Sequence, residues 1–103
     1  MVQLQTIVCR SIKKICLNFS TIMQNKKELE KAFGEILRNL RVEQGLSQDK
    51  LAELSHLDRT YISLLERGLR TPTISTIFSI SNALNSSPSR IIKLLEKKIN
   101  ENN

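Results

Sequence analysis

Two short helical segments lie close together in this sequence, and their spacing constrains the fold more than any other feature. Ser47 is a typical N-cap residue, and the segment after it predicts a helix over residues 48–55. Asp58 is a second N-cap residue and Gly68 suits a helix end, so another helix is predicted over residues 59–67. Helices this short are marginal alone, so the two must pack closely against each other.

The residues at the predicted crossing suit such a close contact. Ala52 is small enough to let the second helix approach, and Ile62, ten positions later, is an apolar β-branched residue that can pack against it. The turn needs a residue with positive φ, and His56 stands at that place, four positions after Ala52. Histidine enters the left-handed region more readily than most side chains, although less readily than glycine. The pattern predicts a helix-turn-helix unit with its turn at residues 55–57.

Helical periodicity continues on both sides of this unit. The apolar spacing i, i+3, i+4, i+7 predicts a first helix over residues 27–44, which Gly45 ends. Thr73 caps a predicted helix over 74–84, and the pair Ser87-Pro88 opens a last one over 88–99. The residues expected to face the core are Phe33, Ile36, Leu37, Leu40, Leu51, Ala52, Ile74, Ile77, Ile80 and Leu84. No strand alternation or repeat is present in the sequence, so the predicted fold is a compact all-α domain of five helices.

The charge of the chain is divided unevenly along its length. The first 27 residues contain five basic residues and no acid, so of the total charge of +6 only +1 remains for residues 28–103. The segment from Arg59 to Lys93, however, contains five basic residues and only one acidic residue. This local excess of positive charge suits binding to a phosphate backbone. We therefore predict a basic extension over residues 1–25, a folded domain over 26–99 and a polar tail over 100–103.

The N-terminal extension allows several interpretations. Four interpretations fit its sequence: a poorly ordered segment, a surface amphipathic helix, an organellar transit peptide, or a leader that precedes a true start at Met23. Cys9 and Cys16 form neither a CxxC pair nor a disulfide framework, which favours a reduced, cytoplasmic environment.

Catalytic, metal-binding and membrane functions find little support in the sequence. The single histidine, His56, disfavours a multi-histidine metal site, and no nucleophile–base pair or phosphate-binding loop is apparent. No stretch approaches the roughly 18 apolar residues that span a bilayer. We expect a binding protein with no cofactor and no membrane association, rather than an enzyme.

Three motifs in correct register resemble the lambda-repressor-like, Xre-type helix-turn-helix family. They are LRVEQGLSQDKLA at residues 40–52, YISLLERG at 61–68 and TPT at 71–73. The resemblance covers residues 33–98 and is strongest toward the controller proteins of restriction–modification systems. It implies a sequence-specific regulator of transcription that binds double-stranded DNA. His56 departs from the family, which usually has glycine at this turn.

The resemblance also implies roles for individual side chains. Arg59, Thr60 and Ser63 are expected to contact base edges. The expected phosphate contacts are Ser47, Gln48, Tyr61, Arg67 and Arg70. Arg41 and Glu66 match a pair that ties the first helix to the end of the third and is expected to be structural.

The resemblance further implies a homodimer that binds two symmetric half-sites. Phe78, Ile92 and Leu95 are the predicted interface residues, because the last two helices carry more apolar side chains than one inner face needs. A phage-type repressor, a toxin–antitoxin regulator and a protein-interaction or RNA-binding module on the same fold stay open as alternatives.

Overall fold

Five helices and no strand make up residues 26–102, the part of the chain described by a computed structural model. The helices are α1 (Lys26–Glu43), α2 (Gln48–Ser55), α3 (Arg59–Glu66), α4 (Ile74–Ala83) and α5 (Pro88–Asn102). The predicted all-α, five-helix fold is confirmed, and four of the helices end within one residue of their predicted bounds. The interpretations of the extension, including Met23, Cys9 and Cys16, lie outside the described residues. No helix in the described range is both long enough and apolar enough to cross a membrane.

Hydroxyl caps begin three of the helices. Ser47, Thr73 and Ser87 each accept a hydrogen bond from the backbone N–H three residues later, at 3.0, 3.1 and 3.2 Å. These predicted caps are confirmed. The predicted N-cap position of Asp58 is also confirmed, but its carboxylate accepts no capping hydrogen bond. The site is exposed, so water satisfies the carboxylate equally well.

The core lies between α1, which packs against α3 and α5, and α2, which packs against α3 and α4. Its fully buried members come from all five helices: Phe33, Leu37, Leu51, Ile62, Leu65, Ile80, Leu84 and Ile91. The predicted core stripe of α4 is correct for Ile80 and Leu84 and partly for Ile77, which is half-buried. It is wrong for Ile74, which is 75% exposed. Ile74 is the first residue of α4, and a periodic pattern does not reveal that the neighbouring helices fail to cover that end.

Helix α5 continues through residues 100–102, which the sequence predicted to be a polar tail. The polar residues there do not break a helix, and Ile99 is buried just before them. Lys98 also forms an ion pair with Glu35 of α1 at 2.8 Å. The hydrogen bond from Lys98 lowers the pKa of the Glu35 carboxyl below its ordinary value. These contacts hold the end of α5 against α1.

Candidate nucleic-acid interface

The turn between α2 and α3 depends on the left-handed backbone of His56. Its φ of 58° and ψ of 35° confirm the predicted positive-φ residue. The N–H of His56 donates to the carbonyl of Glu53 at 3.3 Å, and that of Leu57 donates to Ala52 at 3.0 Å. These two backbone bonds end α2, and α3 begins three residues after His56. Ala52 and Ile62 both lie in the core, as predicted.

A glycine in the middle of α1 sets how closely α3 can approach. A Cβ atom added at Gly34 would lie 2.5 Å from the backbone oxygen of Leu65 and 2.7 Å from that of Glu66. The last turn of α3 therefore packs directly on the α1 backbone. Sequence reasoning missed this contact, although an isolated glycine inside a helical pattern is a recognisable signal of close packing.

The pair Arg41 and Glu66 joins α1 to the end of α3. Arg41 donates from Nε to Glu66 Oε2 at 2.6 Å and from Nη2 to Oε1 at 3.0 Å. Its Nη1 donates to the carbonyl of Leu46 at 2.8 Å. The two side chains are only 13% and 4% exposed. This bidentate geometry satisfies both charges inside the fold and keeps Glu66 away from the outer face of α3.

Gln48, a predicted phosphate contact, is bound to the same carboxylate. Its Nε2 donates to Glu66 Oε1 at 3.1 Å. An amide nitrogen has two hydrogens, so this bond leaves a second donor for an external acceptor while it restricts the side chain's rotation. Gln48 is the first residue of α2, where unpaired backbone N–H groups also favour an anion.

The predicted base-contacting residues lie on the exposed side of α3. Arg59 and Thr60 are exposed at its N-terminal end, and Ser63, one turn later, is half-buried. Arg59 Nε lies 2.9 Å from a carboxylate oxygen of Asp49, in the first turn of α2. Sequence reasoning missed this pair, because the two residues are ten positions apart and belong to different helices. Together Gln48 and Asp49 connect the first turn of α2 to both ends of α3.

The other predicted phosphate contacts lie around this surface. Ser47 is exposed, and Tyr61 is half-buried with its hydroxyl 3.4 Å from Thr76 Oγ1. Arg67 and Arg70 are exposed and form no ion pair among the described residues. The arrangement offers hydroxyl, amide and guanidinium donors, all of which suit phosphate oxygens.

The loop that carries Arg70 is held against α1. Gly68, with φ of 73°, approaches so closely that an added Cβ would lie 2.9 Å from the Cα of Lys31. Thr71 donates a hydrogen bond to the carboxylate of Glu30. These contacts anchor the loop backbone on both sides of Arg70, whose Nη1 donates to the carbonyl of Leu69 at 2.9 Å. Within residues 26–102, no cluster of three His, Cys, Asp or Glu side chains could hold a metal ion.

Comparison with known proteins gives concordant results. A helix-turn-helix family model matches residues 37–91. The control protein C.SmaI of Serratia marcescens is 38% identical over 65 residues, which are 63% of this chain and 77% of that protein.

Solved structures with the same arrangement include a restriction–modification controller and a gene regulator. The controller protein C.AhdI from Aeromonas hydrophila is 42% identical, with a TM-score of 0.59 over 60% of this chain and 94% of the other. The clp gene regulator ClgR from Corynebacterium glutamicum is 30% identical, with a TM-score of 0.65 over 69% of this chain and 76% of the other.

Proposed function

Because this chain belongs to the helix-turn-helix family of DNA-binding transcription regulators, we propose that it reads an operator with the N-terminal half of α3. The observation that carries the proposal is the exposure of Arg59 and Thr60 at that end, while the other end is fixed to α1 through Glu66. A helix fixed at one end and exposed at the other presents its side chains to a major groove in a defined orientation.

The proposed contacts divide into those that read bases and those that bind the backbone. Arg59 has the planar fork that suits the O6 and N7 acceptors of guanine, and Thr60 and Ser63 supply hydroxyls along the same face. The proposed phosphate contacts are Ser47, Gln48, Tyr61, Arg67 and Arg70. Phosphate contacts fix the position of the protein on the duplex, and base contacts give the sequence preference.

We further propose that this regulator controls a restriction–modification system. The similarity to the control protein C.SmaI and to the controller C.AhdI supports this role. The accompanying proposals are a cytoplasmic location and a function by binding alone, without catalysis.

Replacing Arg59 and Arg70 by alanine should separate base reading from phosphate binding. Arg59→Ala should weaken binding to the preferred duplex by about 1–3 kcal/mol and change binding to random DNA little. Arg70→Ala should weaken binding to both and reduce the salt slope by about one per subunit. Titrations against salt, on a duplex selected from a random pool and on its scrambled version, measure both effects. Equal weakening of both duplexes by Arg59→Ala would make Arg59 a phosphate contact.

We propose that the DNA-binding form is a homodimer that buries apolar side chains of α4 and α5. Phe78 is 59% exposed and Ile92 is 45% exposed, whereas Leu95 is half-buried against the core. A shallow groove connects Phe78 to Pro88, and Ile92 lies one turn beyond Pro88 on α5. Two-fold symmetry would place two α3 helices about one turn of DNA apart and double the number of bases read.

A lysine in place of Ile92 should dissociate this dimer, because the charge would have to be buried in an apolar interface. Sedimentation at tens of micromolar is expected to show a dimer for the wild type and a monomer for Ile92→Lys. Val42→Lys is the matched control, because Val42 is an exposed apolar residue of α1. A monomeric wild type, or a dimer unaffected by Ile92→Lys, would contradict the proposed interface.

A further inference from the structure

Asp49 is the acid that pairs with the proposed base-reading arginine. Its Oδ1 lies 2.9 Å from Arg59 Nε, and the two side chains are 75% and 64% exposed. Asp58, the sequence neighbour of Arg59, takes part in no ion pair among the described residues. The guanidinium therefore reaches across to α2 instead of folding back on the start of its own helix.

The position of the carboxylate is compatible with base reading. A guanidinium has five N–H donors that point in three directions, so a partner at Nε still permits end-on donation from Nη1 and Nη2 to a guanine edge. An exposed arginine without a partner samples many rotamers, and a contact that restricts them lowers the entropy lost on binding. The pair thus orients Arg59 before DNA arrives.

The negative charge of Asp49 favours the orientation of Arg59 for base reading, but it repels the phosphates of the DNA backbone. Asp49 follows Gln48, a proposed phosphate contact, so its carboxylate lies where the DNA backbone is expected to pass. The adjacent cation, Lys50, pairs with Glu53 at 3.6 Å and with no other acid among the described residues. Binding to random DNA comes almost entirely from phosphate contacts, which a negative charge at this place opposes.

We propose that Asp49 is a positioning residue that sets sequence specificity: its ion pair holds Arg59 for a base edge and lowers the affinity for DNA of any other sequence. This inference rests on the proposed function, in which Arg59 reads a base. It assigns to α2 a part in specificity that the outer face of α3 alone does not supply.

The test compares Asp49→Asn with Glu53→Gln, which removes one exposed acid from the same helix without touching Arg59. The probes are the duplex that the wild type selects from a random pool and a scrambled version of it. Asp49→Asn should lower the ratio of the two affinities by about fivefold, the upper limit for an exposed ion pair, chiefly because the released Arg59 can bind phosphate on the scrambled duplex. Glu53→Gln should change the ratio less than about twofold, and Asp49→Glu should restore most of it.

The outcomes separate this inference from the function it rests on. Equal ratios for Asp49→Asn and Glu53→Gln would overturn the role of Asp49, while a loss of specificity in Arg59→Ala would still support base reading. An unchanged ratio in Arg59→Ala would remove the base-reading assignment and this inference together. In an Arg59→Ala background, Asp49→Asn should no longer change the ratio of the two affinities, because no ion pair is left to remove and the lost charge acts on the phosphates of both duplexes alike.

Discussion

Replacing Glu66 by alanine is expected to lower the free energy of unfolding by about 3–5 kcal/mol, the usual effect of removing one partner of a buried ion pair. Arg41 is only 13% exposed, and the substitution takes away two of its three hydrogen bonds. The charge of Arg41 would then remain inside the fold with the carbonyl of Leu46 as its remaining hydrogen-bond partner. Gln48 would lose its bond to the same carboxylate. Denaturation in urea, followed by circular dichroism, measures the loss.

Two further variants test the mechanism behind this loss. Glu53→Ala removes an acid that is 72% exposed, and its stability should stay within about 0.5 kcal/mol of the wild type. The double change Arg41→Met with Glu66→Leu should recover part of the stability, because no charge is left unpaired. A Glu66→Ala protein as stable as Glu53→Ala would mean that the pair contributes nothing to the fold.

Gly34→Ala is expected to destabilise the protein by about 1–3 kcal/mol, although alanine is the better helix former by about 1 kcal/mol. The added methyl group would meet two backbone oxygens of α3, at 2.5 and 2.7 Å, and backbone atoms cannot turn aside as a flexible side chain can. Helix α3 must therefore move away from α1, which also displaces the proposed DNA-binding face.

Asn39→Ala provides the matched control for this prediction. Asn39 is an exposed residue of the same helix, so its replacement gains helix propensity without a clash. Thermal unfolding should show a lower midpoint for Gly34→Ala and an equal or higher midpoint for Asn39→Ala. A Gly34→Ala protein at least as stable as the wild type would mean that α1 and α3 can separate at no cost.

The sequence predicts those parts of the fold that depend on local chemistry. Ser47 caps α2 and His56 turns the chain because each acts through atoms within a few residues of itself. The exposure of Ile74 and the ion pair between Asp49 and Arg59 depend on how separate helices end and face one another. Periodicity gives the inner face of a helix, but it carries no information on how far a neighbour extends.

The proposed site also has features that the sequence predicts and features that only the packing of the helices shows. Family motifs point to Arg59, Thr60 and Ser63 as candidate base readers, and the structure places them on one helix. The motifs do not reveal that Gln48 and Arg59 each have an intramolecular partner on another helix. These partners follow from the crossing of α2 and α3, so only three-dimensional packing could show them.

The contrast between the two ends of α3 has a consequence for how such proteins diverge. Its last residue, Glu66, is tied to α1, whereas Arg59 and Thr60 project from the surface. Exchanges at these two positions should cost little stability, since surface substitutions usually stay within about 0.5 kcal/mol. A lineage could therefore acquire a new operator by a few point mutations and keep its scaffold. Asp49 would have to change together with Arg59, which makes the two positions a candidate pair for correlated substitution.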